Sequence, residues 1–337
     1  MPEVPANTNC APLIIIGSPR SGTTLLANLI NRFLDVHISR DNGTLVRFYR
    51  MHRDYEPLER DENLRRLLAD LYRDHYFRER LLERGLRLSK EELLKRVRMR
   101  TYDGIIEAIL SSIAEAHGKH AWGYKRASAA RTQGVHIHEL FPRGKFIHII
   151  RDARDVVLSM RNTPKNLLEK SWYFAAADWV SHTEAGRRLG FECGEEQYLE
   201  VRYEELITRP AEVLARILTF GCPSANGESL QRLEGEIRAF VRGDNAGKWR
   251  HMMPSAAVRI VERVAGPLLL ELGYEVVNVE LSGRPVSQSR LALLYVDRVA
   301  RNLFTRDLRM MTRYRFEILK ARGRARLWRA ARRGSHL

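Results

Sequence analysis

Four short apolar segments along the chain end in polar residues: 12–16, Ala121–Lys125, Lys145–Ile150 and Tyr198–Arg202. Runs of this length between glycine or charged residues are typical of buried strands in a parallel sheet. Helix-forming residues separate them, and leucine and isoleucine recur at three- and four-residue intervals over 23–33. This alternation predicts an α/β fold, with a parallel sheet flanked by helices on both faces.

Two regions depart from the alternation. Residues 55–120 are dominated by helix formers, which predicts a helical insertion. Residues 285–337 carry 14 Lys plus Arg against 3 Asp plus Glu, with apolar residues at helical spacing between them. The whole chain carries +16 and this tail +11, which leaves +5 for residues 1–284. We therefore predict a main domain at 1–284 and a basic amphipathic helical tail at 285–337.

Three interpretations of the basic tail are open. It can lie on an anionic membrane surface, pack on a partner or on a second subunit of a homo-oligomer, or pack its apolar stripe on its own domain. Nucleic acid is a weaker candidate, because few aromatic residues stand among the charges and no reader motif is present.

The cysteine spacing bears on the compartment of the protein. Cys10, Cys193 and Cys222 lie far apart with no paired spacing, which predicts neither a disulfide framework nor a metal site. The apolar run at 13–16 is too short for a signal-peptide core, and no run reaches membrane-spanning length. These features favour a cytoplasmic protein, with any membrane contact peripheral and made through the tail.

A glycine-rich loop follows the first predicted strand and reads Gly17-Ser-Pro-Arg-Ser-Gly-Thr-Thr24. Its glycines let backbone N–H groups approach a ligand, and the next helix adds the positive end of its dipole. Its hydroxyl groups and Arg20 are further donors suited to phosphate. Thr23 stands where the ATPase motif GxxxxGK[ST] has its lysine, which favours a terminal 5′-phosphate over a triphosphate with magnesium.

Other polar residues stand at the ends of the later strands. Lys125, Arg151 and the pair Arg202–Tyr203 all occupy such positions. Ligands of parallel sheets bind at the carboxyl ends of the strands. We therefore expect these residues and the loop to converge on one site.

Two motifs resemble those of a known family. Residues 12–26, which contain the loop, resemble the 5′-phosphosulfate loop of sulfotransferases that use 3′-phosphoadenosine 5′-phosphosulfate (PAPS), in the bacterial and tyrosylprotein-type branch with arginine in the loop. Residues 145–159 resemble the strand, loop and helix that bind the 3′-phosphate in that family, which assigns Arg151 and Ser159 to this phosphate. The likeness extends over about residues 12 to 276 and implies the P-loop-like sulfotransferase fold.

Three weaker elements extend the resemblance. The run Trp122-Gly-Tyr-Lys125 is similar to the strand whose lysine contacts the transferring sulfuryl group. Residues 201–206, with Tyr203, are similar to the segment near the adenine. Gly247-Lys-Trp-Arg250 is similar to a second phosphate-binding loop, which implies donor contacts by Lys248 and Trp249.

The resemblance implies in-line transfer of a sulfuryl group from PAPS to a hydroxyl acceptor, which is a glycan, a lipid, a small molecule or a peptide tyrosine, without a metal. The helical region 55–120 is expected to cover the acceptor. Arg20 and Lys125 would stabilise the leaving phosphate. The loop residues implied to bind the donor are Ser18, Arg20, Ser21, Gly22, Thr23 and Thr24.

The general base is less well defined. Asp41 lies nineteen residues after Gly22, where the arginine-loop branch has glutamate. The alternative is that Asp41 is an ordinary residue of an Asp-Asn-Gly turn, with His37 or His52 as the base.

Two other functions compete with sulfuryl transfer. A P-loop kinase of small molecules needs the lysine that Thr23 replaces and a magnesium carboxylate that the sequence does not indicate. A nucleotide-binding adaptor without enzymatic activity would use its basic tail to bind its partner.

Overall fold

A five-stranded parallel sheet forms the centre of the protein. The computed structural model describes residues 10–40, 43–75, 77–78, 88–127, 137–163, 171–225, 228–289 and 291–296. The strands are β1 (Leu13–Gly17), β2 (Val36–Arg40), β3 (Ala121–Lys125), β4 (Lys145–Ile150) and β5 (Tyr198–Arg202). Their order is β2-β3-β1-β4-β5, and every neighbouring pair is parallel. The predicted α/β fold is therefore confirmed, and β2 is a strand that the sequence patterns did not predict.

Helices α1 to α14 lie within the described ranges before residue 272, and most of them flank the sheet. They are α1 (Thr23–Phe33), α2 (Thr44–Tyr49), α3 (Asp61–Arg73), α4 (Lys90–Arg96), α5 (Tyr102–Ala116), α6 (Ile137–Leu140), α7 (Ala153–Arg161), α8 (Trp172–Cys193), α9 (Tyr203–Thr208), α10 (Pro210–Gly221), α11 (Glu228–Arg232), α12 (Glu234–Phe240), α13 (Trp249–Met252) and α14 (Ser255–Glu271). Short 3₁₀ turns occupy His52–Tyr55 and Val279–Leu281.

Alternate residues of each strand point to opposite faces of the sheet, and so they pack in separate apolar clusters. Ile14 and Ile16 pack with α2 to α6 on one face. Leu13 and Ile15 pack with α1 and α9 to α12 on the other. A third cluster joins α7, α8, α13 and α14 beside the end of β4. The sheet is thus covered on both faces, and its carboxyl edge is the place where side chains can meet a ligand.

A disulfide joins Cys10 to Cys222 across 212 residues of sequence. The prediction that the cysteines are unpaired is wrong, because spacing along the chain says nothing about segments that meet only in the fold. Cys10 precedes β1, Cys222 follows α10, and the Ala11 N–H donates to the Gly221 carbonyl oxygen at 2.9 Å. Cys193 carries a free thiol, and burial raises its pKa.

The start of the basic tail is helical at residues 288–289 and 291–296. Leu293, Tyr295 and Val296 are largely exposed there. The remainder of the tail lies outside the described residues, so the boundary at 284/285 stays a prediction. Among the helices described, none is both long and apolar enough to cross a membrane.

Candidate functional site

The loop at residues 17–24, hereafter the phosphate loop, needs glycine at both ends. Gly17 has a φ of 152°, and a Cβ there would lie 2.5 Å from the Ile149 carbonyl oxygen. Gly22 has a φ of 99°, and a Cβ there would lie 2.3 Å from the ring of Tyr203. A residue with a Cβ would be strained at these φ values and would collide with the neighbouring atoms. Glycine at these two positions therefore fixes the path of the chain from β1 into α1.

Several hydroxyl groups of the phosphate loop are buried or stand at the start of α1. Ser18 and Ser21 are buried, and the Ser21 N–H donates to the Ser18 carbonyl oxygen at 3.1 Å. Ser21 Oγ is buried without a hydrogen-bond partner. Thr23 and Thr24 open α1, where backbone N–H groups have no partner within the helix. A buried hydroxyl without a partner costs free energy, which a ligand with acceptor oxygens would recover.

Arg20 connects the phosphate loop to α7. Its backbone is left-handed, with a φ of 74°, which is uncommon for a residue other than glycine. Its Nε donates to Ser159 Oγ at 3.0 Å, although 139 residues separate the two. The structure therefore brings together the two residues that the sequence assigned to different phosphates.

Arg151 is buried beside the same loop. Its Nη1 donates to the Arg20 carbonyl oxygen at 3.4 Å, and its Nη2 donates to the Asn245 carbonyl oxygen. The guanidinium carbon lies 4.3 Å from the centre of the Tyr203 ring, and Nη2 lies 3.7 Å from Asp155. Its Nε is buried with no partner. Arg151 is thus held rigidly while one donor stays available.

Asn245 and Asp155 belong to this arrangement, and the sequence analysis assigned neither of them a role. The Asn245 side chain donates to Tyr203 Oη at 2.8 Å. Asp155 accepts the N–H groups of Gly247 and Trp249 at 2.7 and 3.0 Å. Asp155 follows Arg151 by four positions and lies on the next helix, and this spacing was the one sequence feature that pointed to it.

The segment around Lys248 lies beside α7, but the Trp249 side chain packs into the protein core. Lys248 is half-buried, and in sequence it lies between Gly247 and Trp249, whose N–H groups Asp155 accepts. The Trp249 ring is buried in the third apolar cluster, with the Arg154 guanidinium 3.6 Å from its centre. Donor contacts by these two side chains stay predictions.

Lys125 stands at the carboxyl end of β3 and points to the start of α1. Its Nζ donates to Thr24 Oγ1 at 3.2 Å. Burial lowers the pKa of Lys125, and the neighbouring charges of Arg40 and Arg20 lower it further. The structure therefore confirms that Lys125 and the phosphate loop converge, and it adds Arg40 to the group.

The candidates for the general base are placed unequally. Asp41 lies outside the described residues, and it follows Arg40, the last residue of β2. His37 pairs in register with Trp122, three residues before Lys125, or about 10 Å from the carboxyl edge. His52 lies after α2, with its Nδ1 at the Tyr49 carbonyl oxygen. His37 thus lies far from the carboxyl edge of the sheet, where Lys125 meets the phosphate loop. Asp41 is the next residue in sequence after Arg40, which ends β2 at that edge.

A family model described as the sulfotransferase family matches residues 12–223. The matched region is more than half of the chain, and it contains all five strands, the phosphate loop, Lys125 and Ser159. The chain therefore belongs to the sulfotransferase family.

Several known proteins are similar to this chain. The protein-tyrosine sulfotransferase of Drosophila melanogaster is 25% identical over 286 residues, which are 78% of this chain and 52% of the relative. Protein-tyrosine sulfotransferase 1 of Danio rerio is 25% identical over 297 residues, which are 81% of this chain and 76% of the relative. The chain thus spans about half the length of the fruit-fly relative.

Among solved structures, the sulfotransferase domain of the Synechococcus PCC 7002 olefin synthase is 21% identical, with a TM-score of 0.48. The alignment covers 82% of this chain and 99% of that domain.

Proposed function

We propose that this protein transfers a sulfuryl group from PAPS to a hydroxyl-bearing acceptor. The observation that carries the proposal is the contact between Arg20 and Ser159, which joins the phosphate loop to the helix after Arg151. Two groups of anion donors, far apart in sequence, thereby form one continuous cradle. Membership of the sulfotransferase family supports the same conclusion.

The residues of the cradle fit a donor with two separate anionic groups. Ser21 Oγ and Arg151 Nε are buried donors without partners, and Arg151 also donates to the Arg20 carbonyl oxygen. The phosphate loop and the start of α1 would hold the 5′-phosphosulfate. Arg151 and Ser159 would hold the 3′-phosphate. Tyr203, which packs on Gly22 and Arg151, would lie near the adenine.

PAPS supplies a sulfuryl group whose bond from sulfur to the 5′-phosphate oxygen breaks while a bond to the acceptor oxygen forms. Lys125 and Arg20 stabilise the negative charge that develops on the leaving phosphate oxygen. Asp41 accepts the proton of the acceptor hydroxyl as general base. The products are the sulfated acceptor and 3′-phosphoadenosine 5′-phosphate (PAP).

A comparison of nucleotides tests the donor. We expect PAP to raise the melting temperature of the protein well above the shift produced by AMP or by ATP with magnesium, because only PAP fills both halves of the cradle. Ser159→Ala should reduce the PAP shift and leave the AMP shift unchanged. Equal shifts with PAP and AMP in the wild type would contradict the 3′-phosphate assignment.

The acceptor is proposed only as a class. A hydroxyl on a glycan, a lipid, a small molecule or a peptide tyrosine suits the chemistry, and incubation of cell extract with labelled PAPS would identify the sulfated product. The Asp41 assignment has its own test. Asp41→Ala should lower turnover with PAP affinity unchanged, and a wild-type rate would transfer the role to another residue.

The basic tail is proposed to contact an anionic membrane surface. Its net charge of +11 over residues 285–337 supports this. Sedimentation with phosphatidylserine liposomes should decline with added salt and with removal of 285–337, whereas binding to a partner or a second subunit would not need lipid.

The disulfide between Cys10 and Cys222 removes the basis for expecting a reducing compartment, since disulfides persist in oxidising ones.

A further inference from the structure

Arg40 is a further cation at the carboxyl edge of the sheet, near Arg20 and Lys125. It ends β2, and it pairs in register with Lys125, which ends β3. The carboxyl ends of the two strands therefore place both side chains at the same edge. Arg40 is exposed, whereas Lys125 is half-buried, so Arg40 lies nearer to solvent.

Both cations are anchored on one face of α1. Lys125 donates to Thr24 at 3.2 Å, and the Arg40 guanidinium donates to the side-chain oxygen of Asn28. Positions 24 and 28 are one helical turn apart, a rise of about 6 Å. Arg40 thus extends the row of cations from Arg20 and Lys125, in the direction away from the phosphate loop.

The row carries positive charge that nothing among the described residues neutralises. No aspartate or glutamate in those ranges forms an ion pair with Arg20, Lys125 or Arg40. The proximity of Arg40 and Arg20 contributes to the lowered pKa of Lys125. Like charges held together at a half-buried edge are unfavourable until an anion joins them.

The proposed donor accounts for only part of this charge. Its phosphosulfate lies against the phosphate loop, Arg20 and Lys125. The Arg40 anchor, Asn28, is one turn of α1 farther from that loop than Thr24, the anchor of Lys125. Asp41, the proposed base, is the next residue in sequence.

We propose that Arg40 determines acceptor specificity by binding an anionic oxygen group, carboxylate or sulfate, on the acceptor. The guanidinium fork suits two oxygens of such a group. With the reacting hydroxyl at Lys125, the anionic group of the acceptor lies about 5 to 8 Å from that hydroxyl, as the helical spacing of the two anchors requires. This inference rests on the proposed function, because it takes Lys125 to mark the transferring group.

Calorimetry on the full-length protein tests the proposal. The protein is first saturated with PAP and then titrated with 4-hydroxyphenylacetate or with its uncharged amide, 4-hydroxyphenylacetamide. We expect the wild type to bind the carboxylate at least about tenfold more tightly than the amide. Arg40→Gln should abolish this preference, and Asn28→Ala should reduce it by loosening the guanidinium.

Arg32→Gln is the matched control, because it removes the same charge from the other end of α1, where Arg32 lies over Phe33 and Phe240. It should keep the preference for the carboxylate. PAP affinity should stay within about twofold of the wild type in all three variants, which also shows that they are folded.

The outcomes separate the two proposals. Failure of the wild type to bind PAP would overturn the proposed function, and the role of Arg40 with it. Normal PAP binding with no preference for the carboxylate, or with a preference that survives in Arg40→Gln, would overturn the role of Arg40 alone. A loss of PAP affinity in Arg40→Gln equal to the loss of carboxylate affinity would instead assign Arg40 to the donor.

Discussion

The phosphate loop and the Arg151 subsite, defined as Arg151, Asp155, Tyr203 and Asn245, are proposed to bind anions, and they are built in different ways. The phosphate loop is eight consecutive residues whose path is fixed by two glycines and by the start of a helix. The Arg151 subsite draws its residues from the turn after β4, from α7 and α9, and from the segment before α13. A contiguous loop can be recognised from a motif, whereas an assembled subsite exists only when distant segments pack correctly.

The two constructions also differ in how they hold their charge. Arg20 is exposed and held by one hydrogen bond to Ser159. Arg151 is buried, stacked on Tyr203, and bonded to two backbone carbonyl oxygens. Since a buried arginine is immobilised before the ligand arrives, we expect the Arg151 subsite to lose less entropy on binding. The phosphate loop should therefore depend on backbone geometry, and the Arg151 subsite on its surrounding polar contacts.

The largest effect is expected from Gly22→Ala in the phosphate loop. The new Cβ would lie 2.3 Å from the Tyr203 ring, at a φ of 99°. Because Tyr203 also packs on Arg151, the change should disrupt both subsites, lower PAP affinity at least about a hundredfold and lower the free energy of unfolding by about 2 to 4 kcal/mol. Nucleotide titration and urea unfolding measure the two effects.

Gly118→Ala provides the control for this change. Gly118 also has a positive φ, of 67°, but a Cβ there meets nothing within 4 Å. It should cost only the backbone strain of about 1 to 2 kcal/mol and leave PAP affinity intact. Equal behaviour of the two variants would show that contact between Gly22 and Tyr203 does not couple the subsites.

Asp155→Asn should disrupt the Arg151 subsite through its supports. Asp155 is buried, and it binds two N–H groups of the 247–249 segment as well as facing Arg151. Loss of its charge should lower the free energy of unfolding by about 3 kcal/mol, because Arg151 is left without a buried counter-charge. The PAP shift should decrease while the AMP shift changes little, as seen by thermal melting.

Asp61→Asn is the matched control, since Asp61 forms ion pairs only at the surface, with Arg65 and Arg100. Its effect on unfolding should be much smaller than that of Asp155→Asn, because solvent screens ion pairs at the surface. A comparable loss in both variants would mean that Asp155 does not organise the subsite.

Ser159→Ala should distinguish the Arg151 subsite from the phosphate loop with a smaller loss of affinity. The hydroxyl accepts from Arg20 and is assigned to the 3′-phosphate, so PAP affinity should decrease about tenfold. Affinity for AMP, which has no 3′-phosphate, should stay within about twofold. An equal loss for both nucleotides would place Ser159 on the phosphate-loop side.

The smallest expected effect is a pH dependence of donor affinity, caused by Lys125 beside the phosphate loop. The pKa of Lys125 is lowered in the free protein, and a bound anion should raise it again. PAPS affinity should therefore weaken as the pH rises through the lowered pKa of Lys125, because the neutral amine binds anions less well. Lys125→Arg should remove this dependence, since guanidinium stays protonated, and isothermal titration between pH 7 and roughly 10 measures it. A profile that persists in Lys125→Arg would assign the titration to another group.

Four of the five strands were predictable from sequence because they are apolar runs with a polar end. β2 was not, because His37 and Ser39 interrupt its apolar residues. An edge strand has only one neighbour, so it does not need the continuous apolar run of a central strand. Its free side is held by the Asn31 side chain, which accepts from the Ile38 N–H at 2.6 Å, and such a contact has no signature in a sequence.

The sequence by itself determined the α/β class, the phosphate loop and the placement of Lys125 and Arg151 at strand ends, because glycine geometry and strand-end placement are local properties. Ser159 was assigned only through the family resemblance. Only the tertiary structure decided the pairing of Cys10 with Cys222, the support of Arg151 by Asp155 and Asn245, and the place of Arg40 beside Lys125. Each of these joins segments that are distant along the chain. Their proximity depends on how the sheet orders its strands, and no local pattern of residues encodes that order.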